Sequence, residues 1–158
     1  MKKLFFVLFA ITLLTFSKSG FAQLSATTLS DIIDSVTSRV NYLETKQDKE
    51  VVNVTIDLLV GTQGTKMVYR YLDNGFDYNV LLIGDRRISE LKMVVSRKSG
   101  DNWIKVDRSN GTNPELSIYP DERALYEFII SADNFNDDYS ACHFALLLYH
   151  IDPDKGDK

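Results

Sequence analysis

Cysteine and positive charge are both scarce in this chain of 158 residues, and each shortage excludes a class of protein. A single Cys cannot form a disulfide framework, nor can it build a zinc site from thiolates alone. The 18 Lys and Arg residues are outnumbered by 22 Asp and Glu residues, so the formal charge is −4 and a strongly basic nucleic-acid binder is excluded. Hydrophobic residues make up 44% of the chain and charged residues 25%, which excludes a wholly disordered chain. The length then allows one domain and a targeting segment.

The first 22 residues have the pattern of a signal peptide. Lys2-Lys3 form a positive start, the run Leu4–Phe16 is almost entirely apolar, and Gly20-Phe21-Ala22 supplies the small residues of a cleavage site. The apolar run of 13 residues is short for a membrane anchor, since a spanning helix needs about 20. We therefore predict cleavage after Ala22 and a bacterial protein that is periplasmic or secreted.

Cleavage makes the predicted mature chain more acidic. The signal peptide takes three of the 18 basic residues and none of the 22 acidic ones, so the formal charge of the remainder is −7. This charge opposes binding to nucleic acid, and we expect no stable membrane insertion after cleavage. We predict a signal peptide at residues 1–22, an N-terminal amphipathic helix at 23–50, a β-sandwich domain at 51–151 and a disordered tail at 152–158.

One amphipathic helix is predicted from Thr28 to about Gln47. Apolar residues recur there at steps of three and four, which places them on one helix face; they are Leu29, Ile32, Ile33, Val36, Val40 and Leu43. Thr28 followed by Asp31 resembles a capping box at the start of the helix. We expect the apolar face to pack on the rest of the domain, and a helix that binds a partner is the alternative.

After residue 50 the period of the apolar residues changes to two, which is typical of β-strands. Short alternating runs separated by turn signals predict about eight strands and an antiparallel sandwich or barrel. The runs are residues 52–60, 67–72, 76–83, 88–95, 103–106, 116–119, 125–132 and 141–150. Several of them are apolar on both faces, notably residues 78–83 and 144–149, which predicts central strands, one of them covered by the helix.

Four segments of this β region carry a resemblance to a known family. They are Leu72–Tyr78, with its leucine, glycine and tyrosine at family spacing; Gly84-Asp85; Glu90–Val95; and Leu116–Pro120 followed by Leu125–Ile130. With these segments the stretch from about Leu58 to Ile151 resembles the bacterial pre-peptidase C-terminal domains and related jelly-roll sandwiches of secreted proteins. The resemblance implies a mainly β fold, an antiparallel jelly-roll-like β-sandwich of about eight strands preceded by one helix.

The resemblance raises the question whether this protein binds calcium. Where the family has the second acid of an alternating strand, this sequence has Lys92, and a cation at that place repels a metal ion. Acidic residues do lie in or beside the predicted turns, at Asp73, Asp77, Asp85, Asp101, Asp107, Asp121, Asp133, Asp137 and Asp138. A calcium site built from them is the alternative, but no spacing matches an EF-hand, and Asp is common in solvated turns because of its local hydrogen bonds. We therefore predict no metal and no cofactor.

The residues that could carry catalysis are not arranged for it. His143 and His150 are seven positions apart on one predicted strand, so their side chains face opposite sides of the sheet and cannot easily share a metal. Cys142 and His143 are adjacent, which excludes a Cys–His dyad for the same reason. Apolar neighbours predict that Cys142 is a buried, inert thiol. We predict that the protein has no catalytic residues and is not an enzyme; a small hydrolase using loop carboxylates is the alternative.

Exposed aromatic rings are the remaining signal. Trp103 follows a polar turn and opens a short strand, where a ring can lie at a sheet edge, and Tyr69 and Tyr71 offer further aromatic surface. Such rings on β-sandwiches stack on sugars or anchor protein contacts. We predict that Trp103, Tyr69 and Tyr71 bind the ligand of an exported, non-catalytic binding or accessory module, with a protein or a glycan as partner. A structural component of an envelope assembly is a further alternative.

Overall fold

The computed structural model describes residues 26–61, 64–136 and 139–152. In this described part of the chain, one helix, α1, spans Ala26–Lys46 and precedes eight strands. The strands are β1 Lys49–Val60, β2 Thr65–Leu72, β3 Tyr78–Gly84, β4 Ile88–Ser99, β5 Asn102–Gly111, β6 Glu115–Ile118, β7 Ala124–Phe135 and β8 Ala141–Ile151. The predicted signal peptide, the acids Asp137 and Asp138, and the predicted tail after Asp152 lie outside the described residues.

The eight strands form two antiparallel sheets of four strands each. Sheet I has the order β1-β8-β3-β6 and sheet II has the order β2-β7-β4-β5. Every paired strand runs antiparallel to its neighbour, and most neighbours in a sheet are distant in sequence. The predicted mainly β fold, a β-sandwich of eight strands preceded by one helix, is confirmed.

The core lies between the two sheets and is built from residues of every strand except the exposed edge strand β5. On β8, Phe144, Leu146 and Leu148 face sheet II and join the main apolar cluster. The residues between them, Leu147 and Tyr149 among them, face the other way and join a second cluster beneath the helix. This double burial explains why the run is apolar on both faces, as a central strand covered by a helix requires.

Helix α1 packs on the outer face of sheet I through Ile32, Val36, Val40 and Leu43, four of the six residues of the predicted apolar face. The other two, Leu29 and Ile33, are 40% and 44% exposed. Ile32, Val36 and Leu43 are buried against the sheet, and Leu43 is fully covered. Burial of one such side chain stabilises the fold by about 1.5–3 kcal/mol, so these residues anchor the helix to its own domain. The predicted capping box is wrong, because the helix begins at Ala26 and Thr28 lies inside the first turn.

Several strands extend beyond their apolar alternation: β1 begins at Lys49 and β4 ends at Ser99. β5 continues through Ser109 and Asn110 to Gly111, where a loop is predicted, and β7 continues through Asp133 to Phe135. β5 is an edge strand with both faces largely exposed, so polar residues cost little there and leave no pattern of period two. Backbone pairing with β4, rather than side-chain burial, defines its end.

One acid in a predicted turn is buried instead of solvated. Asp85 follows β3, and its side chain has no exposed surface. It forms an ion pair with Arg87 and accepts hydrogen bonds from the backbone N–H of Arg87 (2.9 Å) and of His143 on β8 (2.7 Å). Burial raises the pKa of Asp85, but the bonds from Arg87 and from the His143 amide outweigh it, so the pKa lies below its usual range. This carboxylate therefore ties the β3–β4 turn to the central strand of sheet I.

Candidate ligand-binding site

The three aromatic residues predicted from the sequence are brought together on the outer face of sheet II. Val68 and Leu72 of β2 point into the core, so Tyr69 and Tyr71 point outward. Trp103 lies on edge strand β5, which is separated from β2 by the two strands β7 and β4, and its ring centroid is 5.8 Å from that of Tyr69. We call Tyr69, Tyr71 and Trp103 the aromatic platform.

The platform is open to solvent although its rings contact the protein. Trp103 is 38% exposed, Tyr69 is 43% exposed and Tyr71 is 64% exposed. The Tyr69 and Trp103 rings are tilted by 42°, a geometry in which aromatic pairs attract each other. The Tyr69 and Trp103 rings are therefore held in place by each other, while part of the surface of each ring is free for a ligand.

A buried carboxylate lies between the rings. Glu127 of β7 is paired with Tyr69 on one side and with Ser96 on the other, and it is only 7% exposed. Its Oε1 accepts a hydrogen bond of 2.8 Å from the Tyr69 hydroxyl. This hydrogen bond is the main reason that the pKa of Tyr69 is raised, with smaller effects from burial and the negative charge of Glu127.

Two cations border the platform. The Lys98 ammonium lies 5.7 Å from the centre of the Trp103 ring, and the Arg123 guanidinium lies 5.6 Å from that of the Tyr71 ring. Arg123 is also paired with Asp73 at 3.2 Å. Tyr71, Lys98 and Arg123 line a shallow cleft of about 420 Å³ at the end of the sheet. The cleft gives the platform polar donors beside its rings.

Glu127, Lys98 and Arg123 belong to this site but are not among the residues that the sequence pattern predicts for it. Glu127 lies within an apolar strand, between buried Tyr126 and Phe128, and a charged residue at an otherwise apolar stretch is the signal that could have drawn attention to it. Other tyrosines are not part of the site. Tyr126 and Tyr149 are buried in the two apolar clusters, and exposed Tyr119 follows β6 in sheet I.

The remaining candidate groups lie apart from the platform. His143 and His150 are on opposite faces of β8, as predicted: His143 Nδ1 is 3.1 Å from the Arg87 guanidinium, whereas the His150 ring stacks on Phe76. Cys142 is completely buried, as predicted, and burial is the main cause that raises its pKa to about 12.

Within residues 26–61, 64–136 and 139–152, no three His, Cys, Asp or Glu side chains are close enough to hold a metal ion together. No helix in these same ranges is long and apolar enough to span a bilayer.

Comparisons with known proteins show a likeness of fold. No protein-family model matches the sequence, and no curated protein matches it either. The surface-associated copper-binding protein CorA of Methylomicrobium album BG8 matches with a TM-score of 0.52 and 7% identity, over 60% of this chain and 91% of that one. The pre-peptidase C-terminal domain of a Bacillus anthracis collagenase matches with a TM-score of 0.46 and 12% identity, over 61% of this chain and 87% of that one. A family 11 carbohydrate-binding module of Clostridium thermocellum matches with a TM-score of 0.34 and 9% identity, over 65% of this chain and 85% of that one.

These identities are too low to carry more than the architecture, which is that of a β-sandwich. The pre-peptidase C-terminal domain that the sequence resembles is among the structures to which this chain is similar in fold. What the site can do chemically therefore rests on its own residues. Exposed aromatic rings, fixed by a buried carboxylate and bordered by hydrogen-bond donors, can stack on the apolar face of a sugar and bond to its hydroxyls.

Proposed function

We propose that this protein is an exported, non-catalytic module that binds a glycan on the aromatic platform. The observation that carries the proposal is the convergence of Tyr69, Tyr71 and Trp103 on one open sheet face, with Glu127 fixing Tyr69. The three rings expose apolar surface to water. A ligand that covers the rings removes this surface from water, and this contributes favourable free energy to binding. A sugar ring suits such a surface because it has an apolar face and a rim of hydroxyl groups.

A glycan fits this surface better than a protein partner does. The rings lie on the pleated face of a sheet beside a cleft of about 420 Å³, which suits a narrow ligand lying across the strands. Polar and charged groups surround the rings: Lys98, Lys105 and Arg123 are exposed, and buried Glu127 can orient a hydroxyl through Tyr69. Specific protein interfaces instead have an apolar centre from which charged residues are depleted.

Hydrolysis is not part of the proposal. Glycosidases and similar hydrolases need two facing carboxyl groups with different pKa values. The turn acids Asp73, Asp85 and Asp121 are each paired with an arginine in the described part of the chain, at Arg123, Arg87 and Arg97. A docking role for the helix is also not proposed, since four of the six residues of its apolar face pack on its own sheet.

Affinity electrophoresis of the purified protein in gels containing soluble polysaccharides tests the proposal. We expect at least one polysaccharide to retard the wild-type protein and Trp103→Ala to abolish the retardation. Tyr119→Ala is the matched control, because it removes an exposed ring from the other sheet. Wild-type mobility that is unchanged in cellulosic, xylan, mixed-linkage glucan, chitin-derived and peptidoglycan-derived samples would contradict glycan binding.

A further inference from the structure

A second concave site lies on the opposite face of the sandwich from the aromatic platform. It is a cleft of about 650 Å³ between helix α1 and the β6 edge of sheet I, closed at one end by the loops that follow β3, β5 and β7. This volume falls within the range of about 300–1,000 Å³ that small-molecule sites occupy. The cleft is separate from the platform, so a ligand here is independent of the glycan proposed above.

Arg39 of helix α1 brings an incompletely satisfied guanidinium to the cleft. Its Nη2 is 3.8 Å from Glu115 Oε2, which is an ion pair but too long for a hydrogen bond. Its Nε is buried and has no hydrogen-bond partner among the described residues. The Arg39 side chain as a whole is 34% exposed, so part of it is open to a ligand, and a carboxylate is the acceptor whose two oxygens match the guanidinium fork.

Glu115 of β6 supplies the opposite charge beside Arg39. Its Oε1 accepts a hydrogen bond from the buried Tyr149 hydroxyl, which fixes the carboxylate at the edge of the sheet. Its side chain is 41% exposed, so the carboxylate is open to a ligand that reaches the cleft. A simple anion at Arg39 would be repelled by Glu115, and a simple cation at Glu115 would be repelled by Arg39.

The floor of the cleft is apolar. Leu81 and Ile83 of β3 line it, and Ile88 lines it from the start of β4. A ligand with an aliphatic body would therefore be covered on one side by hydrocarbon, while its charged groups meet the rim.

We propose that this cleft binds an α-amino acid with an aliphatic side chain. The ligand carboxylate accepts hydrogen bonds from Arg39, its ammonium group donates to Glu115, and its side chain lies on Leu81 and Ile83. A zwitterion answers Arg39 and Glu115 at once, and exposed Arg86, which also lines the cleft, is a second donor for the ligand carboxylate. An aliphatic side chain uses the floor.

NMR titration of the ¹⁵N-labelled protein tests this with three probes: L-leucine, N-acetyl-L-leucine, which lacks the ammonium group, and L-leucinamide, which lacks the carboxylate. We expect saturable shifts of the amide signals of cleft residues with leucine and at least tenfold weaker binding of the two blocked probes. The idea is overturned if leucine moves no cleft signal at 20 times the protein concentration or more, or if the three probes bind alike.

Two variants and a control assign the binding to the two charged groups. Arg39→Gln should weaken leucine binding at least tenfold, and Glu115→Gln, which keeps an oxygen for the Tyr149 hydroxyl, should abolish the preference for leucine over N-acetyl-leucine. Lys46→Gln removes an exposed cation at the end of the same helix and should bind leucine as the wild type does. If Arg39→Gln melts at the wild-type temperature and still binds leucine with wild-type affinity, Arg39 is not the carboxylate ligand and the proposal fails.

Discussion

The Tyr69 hydroxyl donates a hydrogen bond of 2.8 Å to Glu127 Oε1 on the neighbouring strand. Glu127 is almost completely covered, so one oxygen of a buried carboxylate fixes the tip of a ring that is 43% exposed. The ring of Trp103 contacts the same ring from the opposite edge of the sheet, across two intervening strands. Because the rings are fixed before any ligand arrives, binding loses little side-chain entropy.

Glu127→Gln should lower the pKa of Tyr69. The carboxylate accepts the tyrosine proton and repels the tyrosinate anion, and both effects keep the wild-type pKa above its ordinary value of about 10. A neutral amide still accepts the hydrogen bond but exerts no repulsion. A ¹³C NMR titration of the tyrosine ring signals measures the change, with Tyr69→Phe identifying the signal. An unchanged Tyr69 titration in Glu127→Gln would show that the hydrogen bond does not form in solution.

Asp85→Asn should destabilise the fold by about 3–5 kcal/mol. The substitution leaves Arg87 buried without its counter-charge, and removal of one partner of a buried ion pair costs about that much. Asp73→Asn is the matched control, because its ion pair with Arg123 is exposed and is worth about 0–1 kcal/mol. Urea unfolding at pH 7 measures both. Equal losses in the two variants would contradict the role of Asp85.

The Asp85 carboxylate should also account for part of the stability that the wild-type protein loses at acid pH. The folded-state pKa of Asp85 lies below the unfolded value of about 3.9, so its stabilisation is complete above about pH 5 and is lost as the pH falls through the folded pKa. In that range the unfolded chain binds a proton that the folded protein does not. Asp85→Asn should therefore lose less stability than the wild type between pH 4 and pH 2, as measured by urea unfolding at each pH. A variant with the same acid dependence as the wild type would contradict this.

Cys142 should be unreactive until the protein unfolds. Burial raises its pKa to about 12 and leaves no surface for a reagent, so at pH 8 both the thiolate fraction and access are negligible. A colorimetric disulfide reagent should label no thiol in the native protein and one thiol in guanidinium chloride. Labelling of the native protein within the mixing time would show that β8 is not packed as described.

Leu43→Ala should cost about 2–5 kcal/mol of unfolding free energy, because it leaves a cavity where the helix meets sheet I. Leu29→Ala removes a leucine of the same helix that is 40% exposed, and it should change stability by about 0.5 kcal/mol or less. Urea unfolding compares the two. If both substitutions are neutral, the helix does not pack on its own sheet, and the partner-binding alternative gains support.

The local sequence pattern predicts the helix and the eight strands, but it does not predict how the strands pair. The alternation from Val52 to Val60 predicts β1, whereas the irregular pairing at Val52 leaves no mark in the sequence. The polar end of β5 looked like a loop because an edge strand needs no apolar face there. The order of the strands in a sheet depends on contacts between residues that are distant in sequence, and a local pattern contains no information about these contacts.

The candidate site was predicted in part for the same reason. Tyr69, Tyr71 and Trp103 could be chosen one by one from their strand positions. That Trp103 meets Tyr69, and that Glu127 lies between them, follows only from the order β2-β7-β4-β5. Asp85 was grouped with the solvated turn acids because Asp is common in turns, and only the fold places it against Arg87 and β8.

Fluorescence of Trp103 tests the central claim most directly. The chain contains a single tryptophan, and it lies on the aromatic platform, so its emission reports on that surface alone. Titration with the polysaccharide fragments that retard the protein should give a saturable shift of the emission to shorter wavelength, because the ligand displaces water from the ring. Tyr71→Ala should lower the apparent affinity for the ligand at least tenfold, whereas Tyr119→Ala should leave it unchanged. Binding of a glycan that leaves Trp103 emission unchanged, or equal affinities in the two variants, would contradict the assignment of the platform as the binding site.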